Sequence, residues 1–231
     1  MMDEQTPIVK KKDSLLKRIW IFIIKLHLWF FAITIFLVFL YNFINPPITT
    51  LMIQRKLVRG YPVKMVKFVP LKKIPRKTYS MLVNLEDSNF SKHWGFEIDQ
   101  IKHAYKVNQR RHKIKLGGST ISNQLARTLF LTTNRNYFRK YLEFWITLEI
   151  ELLMPKHRIL ELYLNYIEWG KGIFGIEQAS LHYYGKSVTK LNREQSIRLV
   201  TIVPNPIKYN VKNFSGNRIL RHRYSILETY Y

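Results

Sequence analysis

Apolar and polar positions divide this chain into two unlike parts. From Ile19 to Ile44 the side chains are almost wholly apolar, with Lys25 and His27 as the titratable interruptions. From Leu26 onward the run is long enough to cross a hydrocarbon core of roughly 30 Å, which takes about 20 helical residues. Lys25 could then snorkel to the near interface. Asn45-Pro46-Pro47 ends the segment. Beyond it the apolar residues recur mainly at helical spacing. One helix carries Met81, Leu82 and Leu85 and ends near Asp87; another is predicted from about Ile98 to Gln109. A third follows Ser119 with Ile121, Leu125 and Leu129 on one face. A long helix runs from Tyr137 to Met154, where Pro155 stops it. Shorter ones span Arg158 to Ile167, Ile176 to Tyr184 and Arg193 to Val203. Strand-like alternation is scarce, so the pattern predicts a mostly α domain behind one membrane segment.

Charge changes that picture. The chain has 38 Lys+Arg against 15 Asp+Glu, a formal +23. Six of the basic and three of the acidic residues lie in 1–44, so the remainder carries 32 against 12, a net +20. Lys10, Lys11, Lys12, Lys17 and Arg18 precede the apolar run, and by the positive-inside rule they keep the N-terminus cytoplasmic. The downstream flank is also basic, at Arg55, Lys56 and Arg59. A small-residue cleavage site is missing, so a retained signal anchor is expected rather than a removable leader. An exported basic domain meets anionic lipid and lipid diphosphate rather than nucleic acid. Zero cysteines exclude disulfides and thiol catalysis. The expected organisation is a basic cytoplasmic tail over 1–18, an anchor over 19–44, a membrane-proximal connector over 45–74 and a globular domain over 75–231. In the connector, lysines interleave with apolar residues around Lys64–Lys73, which suits either a membrane surface or a solvated strand.

Candidate chemistry sits in separate segments. Glu86 ends an apolar helical run beside a second acid, Asp87; the two read either as a surface acid pair at a helix end or, with Glu86 packed against Leu85 and Phe90 so that its charged form is disfavoured, as a general base and its neighbour. Asp87 reads as a residue that caps or orients the loop, and His93 either bonds a carboxylate or packs within the loop. Gly117-Gly118-Ser119-Thr120 permits close backbone approach, with Ser119 or Thr120 capping the next helix and its N–H groups forming an anion site. Gln124 and Arg127, on the following turns, would extend that site. The segment Arg110–Lys115 reads as a basic loop ahead of the Gly-Gly turn. Arg139, Lys140 and Glu143 share a face of the long helix and read either as a solvated ion pair or as a diphosphate site. Glu161 and Asn165, four apart, either tie helices together or face the cleft, and the structural reading is preferred. Gly170, Gly172 and Gly175 form a loop without a dinucleotide-binding context. Ser187-Val188-Thr189-Lys190 matches S-x-x-K, but neither S-D-N nor K-T-G follows. The histidines are scattered, and no protein-ligated metal cluster is expected.

The order of these motifs is more specific than any one of them. The chain has E-D-x-x-F-x-x-H-x-G at Glu86–Gly95, G-G-S-T-I-x-x-Q at Gly117–Gln124 and R-K-x-x-E at Arg139–Glu143. K-x-x-I-L-E-x-Y-L-N follows at Lys156–Asn165, then a Gly-rich segment ending Tyr183-Tyr184-Gly185-Lys186. This series resembles the family 51 glycosyltransferases, the peptidoglycan polymerases, over roughly residues 75–210. A single anchor with no transpeptidase segment points to the monofunctional branch of that family.

The resemblance implies a lysozyme-like, mostly α fold with a cleft between a larger lobe and a smaller membrane-proximal one. It implies Glu86 as the general base on the 4-hydroxyl of an acceptor lipid II, and inversion to a β-1,4 linkage at the growing chain. Glu143, with Arg139 and Lys140, would sit at the departing undecaprenyl diphosphate, where a divalent cation (Mg2+ or Mn2+) could join it. Ser119, Thr120, Gln124 and Arg127 would line the substrate site, supported by Asp87, Phe90 and His93. The implied location is the inner membrane with the catalytic domain outside, alongside cell-wall synthesis or division proteins. Two departures stand out: Arg127 where the family usually has Lys, and Asn123 where Gln is common. The residues alone leave a lytic enzyme acting on the same polymer and a non-catalytic membrane scaffold as alternatives.

Overall fold

A computed structural model describes residues 14–110, 117–134, 136–213 and 216–231. Residues 111–115 of the expected basic loop and most of the cytoplasmic tail lie outside these. The anchor is one continuous helix, α1 (Leu15–Leu40), capped by the Ser14 side chain and largely exposed on its apolar surface. It is long and apolar enough to cross a bilayer. The domain that follows is mostly α, as expected: α2 (Thr50–Arg59), α3 (Arg76–Glu86), α4 (Ile98–Arg110), α5 (Ile121–Phe130), α6 (Tyr137–Leu153), α7 (Lys156–Tyr166), α8 (Ile176–Tyr184), α9 (Arg193–Thr201) and α10 (Arg218–Tyr230). A small antiparallel hairpin, β1 (Glu168–Gly170) and β2 (Ile173–Phe174), occupies the glycine segment read as a loop.

α5 is the centre of the domain, and its principal contacts are with α6 and α7. Ile121, Leu125 and Leu129 recur at i, i+4 and i+8 and are buried against Ile146 and Ile150 of α6 and Ile159, Leu162 and Tyr163 of α7. Two helices come from segments that the periodicity did not assign. In α2, Thr49 caps the start and Gly60, at φ +65°, takes the left-handed position at the end. In α10, Asn217 caps the start, and Leu220 and Leu227 turn inward against α9. The expected tie at Glu161 and Asn165 is present: Glu161 accepts from Leu71 N at 2.8 Å and Asn165 from Val69 N at 2.8 Å, pinning the connector to α7.

The anchor does not stand clear of the domain. α1 packs along α6 with both helices running the same way: His27 lies by Tyr141, Phe31 by Trp145, Thr34 bonds Glu149, and Asn42 bonds the Leu153 carbonyl. α1 and α6 therefore lie side by side from His27 to Asn42, and Leu15–Leu26 precede that contact.

Candidate active site

Glu86 is the last residue of α3, because Asp87 leaves helical geometry immediately after it (φ −165°). Its carboxylate is 9 % exposed, and its setting is polar rather than apolar. Arg223 of α10 donates to Oε1 at 2.5 Å, and Gln124 of α5 donates to Oε2 at 3.2 Å. The expectation of an apolar pocket formed by Leu85 and Phe90 is thus corrected: Phe90 turns away, edge-on to His93 and beneath the Lys156 ammonium at 4.6 Å. Gln124 is itself oriented. The fully buried Tyr163 donates its hydroxyl to Gln124 Oε1 at 3.0 Å, which directs the amide NH2 to Glu86. Burial, and then the Glu86 charge, push the Tyr163 phenol well above its ordinary value, so it is a committed donor. Arg127, one turn beyond Gln124, lies half-buried, and its charge also bears on Tyr163. Arg223 was not foreseen, since its helix was not. The signal was there in Asn217 followed by Leu220, Tyr224, Leu227 and Tyr231 at helical spacing.

Asp87 locks the loop to α5. Its Oδ2 accepts from Ile121 N at 2.9 Å and its Oδ1 from His93 Nε2 at 2.8 Å. His93 Nδ1 accepts from Gly95 N at 3.0 Å, which leaves Nε2 to donate to Asp87. Burial raises the Asp87 carboxyl despite these donors, and the donors account for its place in the interior. Asp87, His93 and Glu97 have ligand atoms within 4.8 Å of one another. With both ring nitrogens engaged, and Glu97 held by Asn89 and Gln100, this triad works as a loop clasp. Gly95 is required there: at φ +82°, a Cβ would meet Thr147 Cγ2 at 2.7 Å.

The helix-terminal anion site expected at α5 is largely filled by the protein itself. Ile121 N is taken by Asp87, and Asn123 N by the capping hydroxyl of Thr120. Thr120 is the cap, is 1 % exposed and donates to the Gly95 carbonyl at 2.6 Å; it supports the site from beneath. Ser119 stays half-buried at the surface, its carbonyl 3.5 Å from the Gln124 amide.

The third cluster lies on α6. The carboxylate of Glu143, a residue only 1 % exposed, receives Arg139 Nη1 on one oxygen and Lys140 Nζ at 2.6 Å on the other. The solvated-pair reading therefore fails: Glu143 is interior, and it holds one half-buried and one exposed cation at the surface. Asn134 O fixes Arg139 through Nε at 2.5 Å. Asn123 links this cluster to the loop of Asp87, donating to Gly95 O at 3.0 Å and to Thr147 Oγ1 at 3.1 Å; Thr147 in turn donates to Glu143 O at 2.6 Å. Asn123 therefore works as an interior tie, and a longer side chain is not needed for it.

A carboxylate with a guanidinium partner and a pair of cations held by an interior carboxylate are thus linked through Asn123 and the Asp87 loop. The chain belongs to the transglycosylase family, whose model matches residues 55–230. It is 40% identical over 193 residues to a biosynthetic peptidoglycan transglycosylase of Pseudomonas putida (82% of this chain, 81% of the relative). Proteins of the same name match from Pseudomonas syringae, at 38% over 208 residues (88% and 86%), and from Shewanella oneidensis, at 40% over 197 residues (84% of each).

Proposed function

We propose that this chain is a peptidoglycan glycosyltransferase that polymerises lipid II into β-1,4-linked glycan, releasing undecaprenyl diphosphate. Glu86 takes the proton from the 4-hydroxyl of the acceptor as that oxygen attacks the anomeric carbon of the growing chain. The bond from the anomeric carbon to the diphosphate breaks, and the electron pair leaves with the diphosphate. Arg139 and Lys140 meet the charge that develops there. Arg223 and Gln124 fix the Glu86 carboxylate, and each oxygen keeps a lone pair beyond the one bond it accepts.

The observation that carries this reading is the state of Glu143. Both of its oxygens accept from cations, so it offers no proton. A lytic enzyme needs a protonated carboxyl at the departing sugar oxygen, whereas a diphosphate leaves as a stable anion and needs positive charge instead. A divalent cation would arrive on the diphosphate, where Arg139 and Lys140 already balance the charge of the two Glu143 oxygens. The same reading puts α1 in the inner membrane with the domain on its outer side.

The test supplies purified lipid II and, separately, preformed glycan to the detergent-solubilised full chain. The proposal predicts long strands from lipid II and no cleavage of glycan. Cleavage without synthesis would establish the lytic alternative; neither activity would leave a membrane scaffold.

A further inference from the structure

Away from the Glu86 cleft, and sharing no residue with it, a cavity of about 770 Å³ opens between the connector, the β1–β2 hairpin, α8 and the segment 206–210. That volume lies within the range of small-molecule sites. Lys64, Lys67, Lys171 and His182 line it, above a floor that includes Phe174 and Leu181. No carboxylate lines it. Among the described residues, the three lysines take part in no ion pair or hydrogen bond. Acids behind the wall are committed elsewhere: Glu168 to Arg55 at 2.8 Å and to Gly172 N, and Glu177 to Ser187 Oγ and Val188 N. The walls are fixed. Gln178 holds the Met65 carbonyl at 2.9 Å, and at Gly172 a Cβ would come within 3.1 Å of Tyr61 Cβ, so the connector lies directly on the hairpin. All three lysines are exposed, and their positive charges add at the mouth of one cavity.

The place of the cavity indicates which anion. It begins two residues beyond Gly60, the end of α2. α2 turns Ile53, Leu57 and Val58 outward, 41 %, 76 % and 71 % exposed, with the basic Lys56 and Arg59. Its Gln54 bonds Thr133 and Asn134, and Asn134 bonds Arg139 at the start of α6, which docks on the anchor. The outer face of α2 is therefore continuous with the side of the domain that carries the spanning helix, as an interfacial helix would be. We propose that the cavity receives the phosphate of an anionic phospholipid of the bilayer, the lysines taking the phosphodiester and the apolar floor the glycerol and first methylenes. The site would hold the domain at a fixed tilt on an anionic surface. It does not depend on the reaction assigned to Glu86.

The full chain, extracted into a zwitterionic detergent with phosphatidylglycerol or phosphatidylcholine, is examined by native mass spectrometry. Wild type should retain one more phosphatidylglycerol than the K64A/K67A/K171A variant, with affinity at least about tenfold higher and no difference for phosphatidylcholine. K56A/R59A, which removes charge from α2 but not from the cavity, should keep that lipid. Equal loss in both variants would mean general attraction to the surface and overturn the site, as would equal retention by the triple variant. Displacement of the lipid by millimolar inorganic phosphate would overturn the lipid assignment in favour of a soluble phosphate. Unchanged melting temperature in both variants serves as the folding control.

Discussion

At the scale of single residues, Glu86 and Gln124 are 38 positions apart, and Glu86 and Arg223 137 apart, yet these three side chains share one carboxylate. If Arg223 positions and charges the base, Arg223→Gln should lower kcat about tenfold or more with a smaller change in KM. Arg223→Lys should restore part of the rate. An unchanged kcat in Arg223→Gln would leave Arg223 a merely structural contact. Glu143→Gln removes both ion pairs on α6 and should cut turnover by about ten- to a hundredfold while lipid II binding changes less; normal turnover would dissociate the α6 cations from the reaction. Most of this cluster was legible because it is local: Arg139, Lys140 and Glu143 fall on one helical face, and Glu86 and Gln124 each end or begin a readable helix. The partnership with Arg223 was not legible, since nothing local in residues 81–90 records a guanidinium arriving from the far end of the chain. For the same reason the apolar setting inferred for Glu86 was wrong.

Helices supply the next level. α5, α6 and α7 were visible in the sequence because a long 3.6-residue stripe survives between clear caps and stops. α2 was hidden because Arg55 is among its buried residues, paired to Glu168 at 2.8 Å, so its inward face does not read as apolar. The contact between α1 and α6 has its own weak point at Glu149. One carboxylate oxygen accepts from Thr34 at 3.1 Å, and the other is buried without a partner. Burial, only partly offset by the Thr34 hydroxyl, pushes this carboxyl from 4.5 to about 7. As pH rises from 4.5 toward 7, the unfolded chain loses this proton before the folded one does. Stability therefore falls through that window and is level above it. Glu149→Gln should raise Tm at pH 8 by about 2–4 °C and leave it unchanged near pH 4.5. An equal shift at both pH values would remove Glu149 as the source.

On the scale of the molecule, the docking of α1 on α6 would set how deep the domain sits if α1 spans the bilayer as proposed. Only Leu15–Leu26 precede the docked half of α1; at 1.5 Å per residue that is about 18 Å, against a hydrocarbon core of roughly 30 Å. If α1 spans the bilayer as proposed, the first turns of α6 would reach its surface, and Tyr137 and Phe138, 97 % and 64 % exposed, would meet lipid there. Tyr137→Ser with Phe138→Ser should weaken activity in vesicles more than in detergent; equal loss in both would contradict this depth. Such a position would bring Arg139 and Lys140 to the level of a lipid diphosphate, and would leave Glu86 to act on a substrate held in the same bilayer. The central claim is that Glu86 removes the acceptor proton, and the most direct measurement is the initial rate of strand synthesis from lipid II by Glu86→Gln beside wild type. The account predicts a loss of at least about a hundredfold with an unchanged melting temperature. A rate within a few-fold of wild type would contradict it.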